Sequence, residues 1–180
     1  MEFSGKKVTV VGTGISGIGA VGLLNAVGAE VVLYDGNEKL KIEDIEKKLG
    51  TYKAEIVLGE LTKELTDSSD LLVISPGVPI DSPVVKAFEA AGVPVWGEVE
   101  LAYAKVLAIT GTNGKTTTTA LVGQIVGAYH KDTFVVGNIG NPYTTEVLKS
   151  NKDSYTVAEI SSFQLETVHE FHPLVSAILN

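Results

Sequence analysis

Short apolar runs recur along the chain, several closed by glycine or an acid, and most lead into a stretch with helical spacing. Residues 7–11 form the first run and read as a buried strand. Gly12-Thr13-Gly14-Ile15-Ser16-Gly17 follows, then an apolar helical stretch over 18–27 that Gly28 stops. A second strand over 30–34 ends on Asp35. Residues 38–49 read as an amphipathic helix with Leu40, Ile42, Ile45 and Leu49 on its apolar side and a solvated charged face. A weaker strand over 54–58 precedes a strong one over 70–74, which runs into Ser75-Pro76-Gly77. A helix over 82–91 stops at Gly92, and 93–96 form a short strand. Residues 98–103 predict a short helix in a connection.

The pattern then restarts. Residues 106–109 are an apolar strand, and Thr110-Gly111-Thr112-Asn113-Gly114-Lys115-Thr116-Thr117 leads into a helix reaching about Tyr129. Strands follow over 133–136 and 155–158, the second ending at Glu159. A helix over 162–170 and a strand over 174–179 complete the reading. Strands alternating with helices predict an α/β fold with mostly parallel sheets. The expected division is a Rossmann-like domain over 1–93, a linker over 94–105, and the first part of a P-loop-type domain over 106–180. The chain stops at the end of a strand, where open α/β sheets place site residues, so an N-terminal fragment is expected.

Composition narrows the chemistry. The hydrophobic fraction is 44% and the charged fraction 20%, ordinary for a globular protein. No cysteine is present, so disulfides and thiolate metal sites are excluded. No leader pattern or membrane-length apolar run occurs, which predicts a cytoplasmic protein. The net charge is −8 and all 14 basic residues are lysine. That argues against nucleic acid. It also means that anionic ligands must be held by backbone amides, helix N-termini, hydroxyls, lysine and metal.

The loop over 110–117 carries the sharpest chemistry. Its glycines let amides approach phosphate oxygens, Lys115 can reach the β- and γ-phosphates, and the Thr116 hydroxyl can ligate Mg²⁺. The common P-loop would need glycine at 109, where Ile109 stands, so this is a compact variant. Glu159, at a strand end in the same unit, is placed as a Mg²⁺-holding carboxylate. The Gly12, Gly14, Gly17 pattern with Asp35 is less specific. NAD, FAD or a UDP-sugar would each satisfy a diphosphate at a helix N-terminus with a hydroxyl near Asp35. Ser75-Pro76-Gly77 is either a turn or a loop lining the same crevice. His130, His169 and His172 show no metal-ligand spacing, and Trp96 is expected to pack between the two units.

Together these motifs resemble the Mur ligases of peptidoglycan synthesis, and within them the branch that adds D-glutamate. The resemblance covers the whole chain. It rests on the Gly12–Gly17 motif, Ser75-Pro76-Gly77-Val78-Pro79, Gly97-Glu98-Val99-Glu100-Leu101, Gly111-Thr112-Asn113-Gly114-Lys115-Thr116, Gly137-Asn138-Ile139-Gly140 and Glu159-Ile160-Ser161-Ser162-Phe163-Gln164-Leu165-Glu166.

The resemblance implies three domains and ATP-dependent amide-bond formation through an acyl phosphate, on UDP-N-acetylmuramoyl-L-alanine with D-glutamate as the amine. Gly14, Ile15 and Ser16 would meet the diphosphate. Asp35, Gly36 and Asn37 would line the uridine side, with Ser75, Pro76 and Gly77 closing that pocket. Asn138 and Gln164 would contact the muramoyl-alanine end. Gly111, Thr112, Asn113, Gly114, Lys115, Thr116 and Thr117 would bind ATP, with Thr116 and Glu159 on Mg²⁺ and Lys115 and Glu159 in catalytic roles. A histidine metal ligand, a carbamylated lysine and the D-glutamate site would lie beyond Asn180. A monomer acting on small molecules is expected. An NAD(P)-dependent dehydrogenase and a non-catalytic nucleotide-binding module are the competing readings; the first leaves Lys115, Thr116 and Glu159 unexplained.

Overall fold

The structure, a computed structural model, describes residues 3–102, 105–139 and 141–180. Tyr103, expected at a helix end, and Gly140, of the Gly137–Gly140 motif, lie outside the described residues.

Two parallel sheets organise the described chain. The first takes β1 (Lys7–Val11), β2 (Glu30–Asp35), β3 (Glu55–Leu58), β4 (Leu71–Ile74) and β5 (Val95–Gly97) in the order β3-β2-β1-β4-β5. The second takes β6 (Val106–Gly111), β7 (Thr133–Gly137), β8 (Tyr155–Glu159) and β9 (Val175–Leu179) in the order β7-β8-β6-β9. Every described pairing is parallel. The near-continuous Val/Leu/Ile runs are what a sheet covered on both faces requires. In the first sheet Val8, Val10, Leu33, Leu71 and Val73 join one core with Val21, Leu24, Ile45 and Leu49. Val11, Val32, Leu72 and Ile74 join the opposite core with Leu65, Val85 and Phe88. The period-two alternation of strand side chains divides each strand between the two cores.

Helices cover these faces: α1 (Ile15–Ala26), α2 (Ile42–Leu49), α3 (Lys63–Ser68), α4 (Pro83–Ala90), α5 (Glu98–Ala102), α6 (Lys115–Tyr129), α7 (Tyr143–Val147) and α8 (Ser162–Leu165). Several bounds differ from those the sequence predicts, each for a visible reason. Residues 38–41 do not join α2. The Asn37 side chain accepts from the Lys39 amide at 3.1 Å and its carbonyl from the Leu40 amide at 3.2 Å, which closes a turn instead. The short helices α3 and α7 had no sequence expectation. Thr62 caps α3 by accepting from the Leu65 amide at 3.3 Å.

The helix expected over 162–170 ends at Leu165. Beyond it the amides of His169, Glu170 and Phe171 turn to the Glu100 carboxylate at 2.9, 2.8 and 3.0 Å. Trp96 is not an inter-unit residue. It packs on the first core and meets Phe3 edge-on at 6.0 Å. Strand β5 runs to Gly97 and pairs with β4, so residues 95–97, expected in a linker, complete the first sheet.

The two sheets meet through α1 and α7. Gly19 faces the Thr144 and Thr145 hydroxyls so closely that a Cβ there would lie 2.6 Å from each. A third core beneath this contact collects Val99, Val106, Val136, Tyr143, Ala158 and Ile160.

Two outcomes test this packing. Phe88 is fully buried, so Phe88→Ala should cost about 3–5 kcal/mol in urea unfolding. Gly19→Val should lower stability by about 1–3 kcal/mol through overpacking. The compensating Thr144→Ala should not restore it, because Thr145 remains in the way.

Candidate functional site

Both sheets expose the carboxyl ends of their strands, and the loops there carry the candidate residues. Strands β1 and β4 are neighbours, and the chain leaves them toward opposite sides of the sheet. The loop after β1 holds Gly12–Gly17, and the loop after β4 holds Ser75-Pro76-Gly77. They touch. A Cβ at Gly12 would lie 2.9 Å from Ser75 Oγ, and one at Gly17 would overlap the Gly12 carbonyl oxygen. The glycines therefore allow this hairpin-tight entry into α1. Gly14 is the N-cap of α1, and no side chain caps that end. The first amides of the helix point outward without an internal acceptor, as at an anion site.

Asp35 ends β2 and faces the loop. Its Oδ2 accepts from the Thr13 amide at 3.2 Å and the Thr13 hydroxyl at 2.9 Å, and its Oδ1 from the Asn37 amide at 3.1 Å. The carboxylate thus fixes the loop. Gly36 and Asn37 lie exposed beyond it.

A cleft of about 410 Å³ gathers Gly14, Ile15, Ser16, Ser75, Pro76 and Gly77 from the first sheet with Gly137, Asn138, Pro142 and Gln164 from the second. Eight of the residues singled out from the sequence therefore line one space: Gly14, Ile15, Ser16, Ser75, Pro76, Gly77, Asn138 and Gln164. Asp35, Gly36 and Asn37 do not. Ile15 stands 74% exposed at the mouth. Gln164 is 4% exposed, and its side-chain Oε1 accepts from the Ser161 amide at 2.9 Å in a reciprocal capping box on α8.

The second loop follows β6. Gly114 caps α6, again with no side-chain cap. Thr112, Asn113 and Gly114 form an exposed tip, and Thr117 is exposed on the first turn. Lys115 Nζ folds back on the loop and donates to the Gly111 carbonyl at 2.9 Å and the Thr112 carbonyl at 3.3 Å. Thr116 Oγ1 donates to Glu159 Oε2 at 2.8 Å, and Asn138 Nδ2 donates to Glu159 Oε1 at 3.1 Å. Glu159 is 2% exposed. Strands β6 and β8 are neighbours with Ile109 opposite Glu159, which brings the acid beside the loop. Asn138 thus belongs both to the cleft and to the Thr116–Glu159 pair.

One residue at the centre was missed as a site candidate: Glu98, quoted only within a motif. It is 3% exposed at the N-terminus of α5 and lines the cleft. Its Oε1 takes the Thr144 amide at 3.2 Å and the Thr144 hydroxyl at 3.3 Å. The Ser16 hydroxyl and the Tyr143 amide also face it and favour its charged form. Burial pushes its carboxyl above the ordinary glutamate range, and these hydrogen bonds pull it only partly back. Nothing in its sequence neighbourhood distinguishes it from a solvated helix acid; only the fold buries it.

A raised native value means that the folded state binds the proton more tightly than the unfolded chain does. The stabilisation is complete below the ordinary glutamate value of about 4.3 and is lost as pH rises through the higher native value. Glu98→Gln should therefore lose less thermal stability than the parent chain on going from about pH 4 to about pH 8. An equal loss in both proteins would show that the carboxyl is not shifted.

Among the described residues no helix is long and apolar enough to cross a membrane. Residues 6–97 match the Mur ligase MurD-like N-terminal domain, and residues 109–180 match the Mur ligase middle domain. A UDP-N-acetylmuramoylalanine–D-glutamate ligase of Lachnospira eligens is 70% identical, with 100% of this chain and 41% of that protein covered. The ligase of the same name from Lachnoclostridium phytofermentans is 57% identical at the same coverage. The chain thus spans about 41% of the length of these curated relatives. A murein peptide ligase structure from Psychrobacter arcticus shares the fold at TM-score 0.50 and 20% identity, with 88% of this chain and 39% of that one covered. With the N-terminal domain match alone spanning more than half of its residues, this chain belongs to the Mur ligase family, joining a MurD-like N-terminal domain to Mur ligase middle-domain sequence.

Proposed function

We propose that this chain carries the UDP-substrate site and the ATP-phosphate loop of a ligase that joins D-glutamate to UDP-N-acetylmuramoyl-L-alanine. The observation that carries the reading is Asn138, which lines the cleft with the uncapped helix N-terminus at Gly14 and bonds to Glu159, the partner of Thr116 on the first turn of α6, whose N-terminus at Gly114 is also uncapped. The substrates are those in the relatives' name. In this reading the two sheets are two folding units, the first for the UDP moiety and the second for ATP. The protein acts in the cytoplasm as a monomer.

The diphosphate would lie on the amides of Ile15 and Ser16 at the start of α1, where the helix field favours anions. Ser75, Pro76 and Gly77 would close the nucleotide side, with Asp35, Gly36 and Asn37 toward the uridine. Asn138 and Gln164 would hold the muramoyl-alanine end. ATP phosphates would lie on the amides of the 111–114 loop and on the first turn of α6, including Thr117. Lys115 would leave the Gly111 and Thr112 carbonyls for phosphate oxygens, exchanging weak neutral acceptors for charged ones.

Thr116 Oγ1 and Glu159 Oε2 are hard oxygen donors 2.8 Å apart, a donor set that suits Mg²⁺. Among the described residues no three His, Asp or Glu side chains converge. The ion would therefore take its other oxygens from water and phosphate, as Mg²⁺ commonly does. When bound it would offset charge on the transferred phosphoryl group. Asn138, bonded to Glu159 and lining the cleft, would set the substrate carboxylate against that phosphoryl group. That group would pass from ATP to the carboxylate oxygen with ADP leaving, and the D-glutamate amine would then attack the acyl phosphate, releasing phosphate and a proton as the amide forms.

Calorimetric titration of residues 1–180 should show binding of UDP-N-acetylmuramoyl-L-alanine and none of NADH; the reverse would overturn the reading. The same chain should incorporate no D-glutamate. In a protein of the relatives' full length, Lys115→Ala should lower the ligation rate by on the order of 10²-fold or more. It should leave the affinity for the UDP substrate within about twofold, because the lysine serves only the second loop. Loss of both together would show that the two sites are not separate.

A further inference from the structure

We propose that Lys48 is a phosphate-binding residue of the first loop: its ammonium leaves the Thr13 carbonyl for a nucleoside diphosphate held at Gly14–Ser16. The inference rests on the reading that such a ligand binds there.

By sequence Lys47 and Lys48 both belong to the solvated face of a charged helix. The structure separates them. Lys47 pairs with Asp44 on its own helix at 3.2 Å, with both groups in solvent. Lys48 lies three positions after Ile45 and next to Leu49, the two residues that bury α2 against the first core. From that side its Nζ donates to the Thr13 carbonyl at 3.4 Å. Among the described residues it makes no ion pair. Thr13 immediately precedes Gly14, the N-cap of α1. Packing of α2 therefore parks one ammonium against the loop that would take the diphosphate, and Lys48 is exposed enough to meet a ligand.

A cavity of about 440 Å³ opens beside this contact, with Thr13, Gly14, Ile15, Lys48, Tyr52 and Thr145 among its walls. It shares Gly14 and Ile15 with the cleft, so the two spaces meet at the start of α1. On that side the ammonium has room to turn from Thr13 toward an anion on the Ile15 and Ser16 amides. Its present bond is long and its acceptor neutral, whereas a phosphate oxygen is a charged and stronger acceptor. The second loop repeats the device, with Lys115 resting on the Gly111 and Thr112 carbonyls.

Charge gives the contact its value. The acid bonded into the first loop is Asp35, on the amide and hydroxyl of Thr13, and it disfavours an anion. The chain has no arginine to offset it. Lys6 and Lys7 bond to Asp70 and Ser68 at the amino ends of β1 and β4, the edge away from the cleft. Lys48 supplies a full positive charge at the carboxyl edge, where the helix start offers only partial ones.

The test is calorimetric titration of the parent chain, Lys48→Met and Lys48→Arg with UDP-N-acetylmuramoyl-L-alanine. Methionine keeps an apolar stem and removes the charge. Its Kd should rise about tenfold or more, the effect of losing a hydrogen bond to a charged group. Arginine should stay within about threefold of the parent, because it too donates to phosphate. The urea midpoint of Lys48→Met should equal the parent's. In the parent, the ligand should slow acylation of Lys48 severalfold, read by peptide mass spectrometry, and leave Lys47 unchanged. A Lys48→Met affinity equal to the parent's overturns the proposal and leaves the reading of the site standing. Weaker binding with a lowered urea midpoint and no protection of Lys48 also overturns it, since the lysine would then only tether the loop. Absence of any binding by the parent chain overturns the underlying reading and the proposal with it.

Discussion

The close approach of α1 to α7, permitted at Gly19 and bridged by the buried Glu98, decides what this structure can do. Each sheet alone offers a loop at its carboxyl edge, and neither loop is a site by itself. Glu98 lines the cleft beside Ser16 of the first loop and bonds to the start of α7, a few residues after Asn138. That pair of contacts turns two edges into one cleft. The arrangement costs desolvation of a carboxylate, and the hydrogen bonds from Thr144 offset part of it. A methyl group at Gly19 would separate the edges, which is why three positions far apart in sequence, 19, 98 and 144, act together.

The parts of this arrangement legible in the sequence are those set by local pattern. The buried strands, the two glycine loops and the acid ending β8 follow from apolar runs and their punctuation. The loop residues came out where strand ends put them, and the residues taken from family resemblance, Asn138 and Gln164, line the same cleft as Gly14 and Ser75. Less legible was whatever tertiary contacts decide. The helix after Ser161 stops early because a carboxylate from α5 claims the next amides. Residues 38–41 form a turn because Asn37 offers the backbone an alternative. Glu98 and Glu100 read as acids on a connecting helix, and no local signal marks them as buried. Trp96 packs within the first core against Phe3, and no periodic pattern marks that partner.

Charge gives the site a particular character. The chain carries net −8, contains no arginine, and is read as taking anionic ligands. Attraction at long range is therefore absent, and recognition must come from amides and hydroxyls fixed at short range. Lys115 illustrates the same economy of charge. Its ammonium is kept close by two loop carbonyls until a stronger acceptor arrives. Preorganised dipoles of this kind lose little to added salt, whereas a surface of lysines would.

Glu100 shows the converse use of the same chemistry. Three consecutive amides at 169–171 form a concavity of the sort that elsewhere captures a free anion. Here the anion is covalently part of the chain, held at an effective concentration that no dissolved ion reaches. The run into β9 is consequently set as though by a ligand that never dissociates, and neither dilution nor dialysis can empty it.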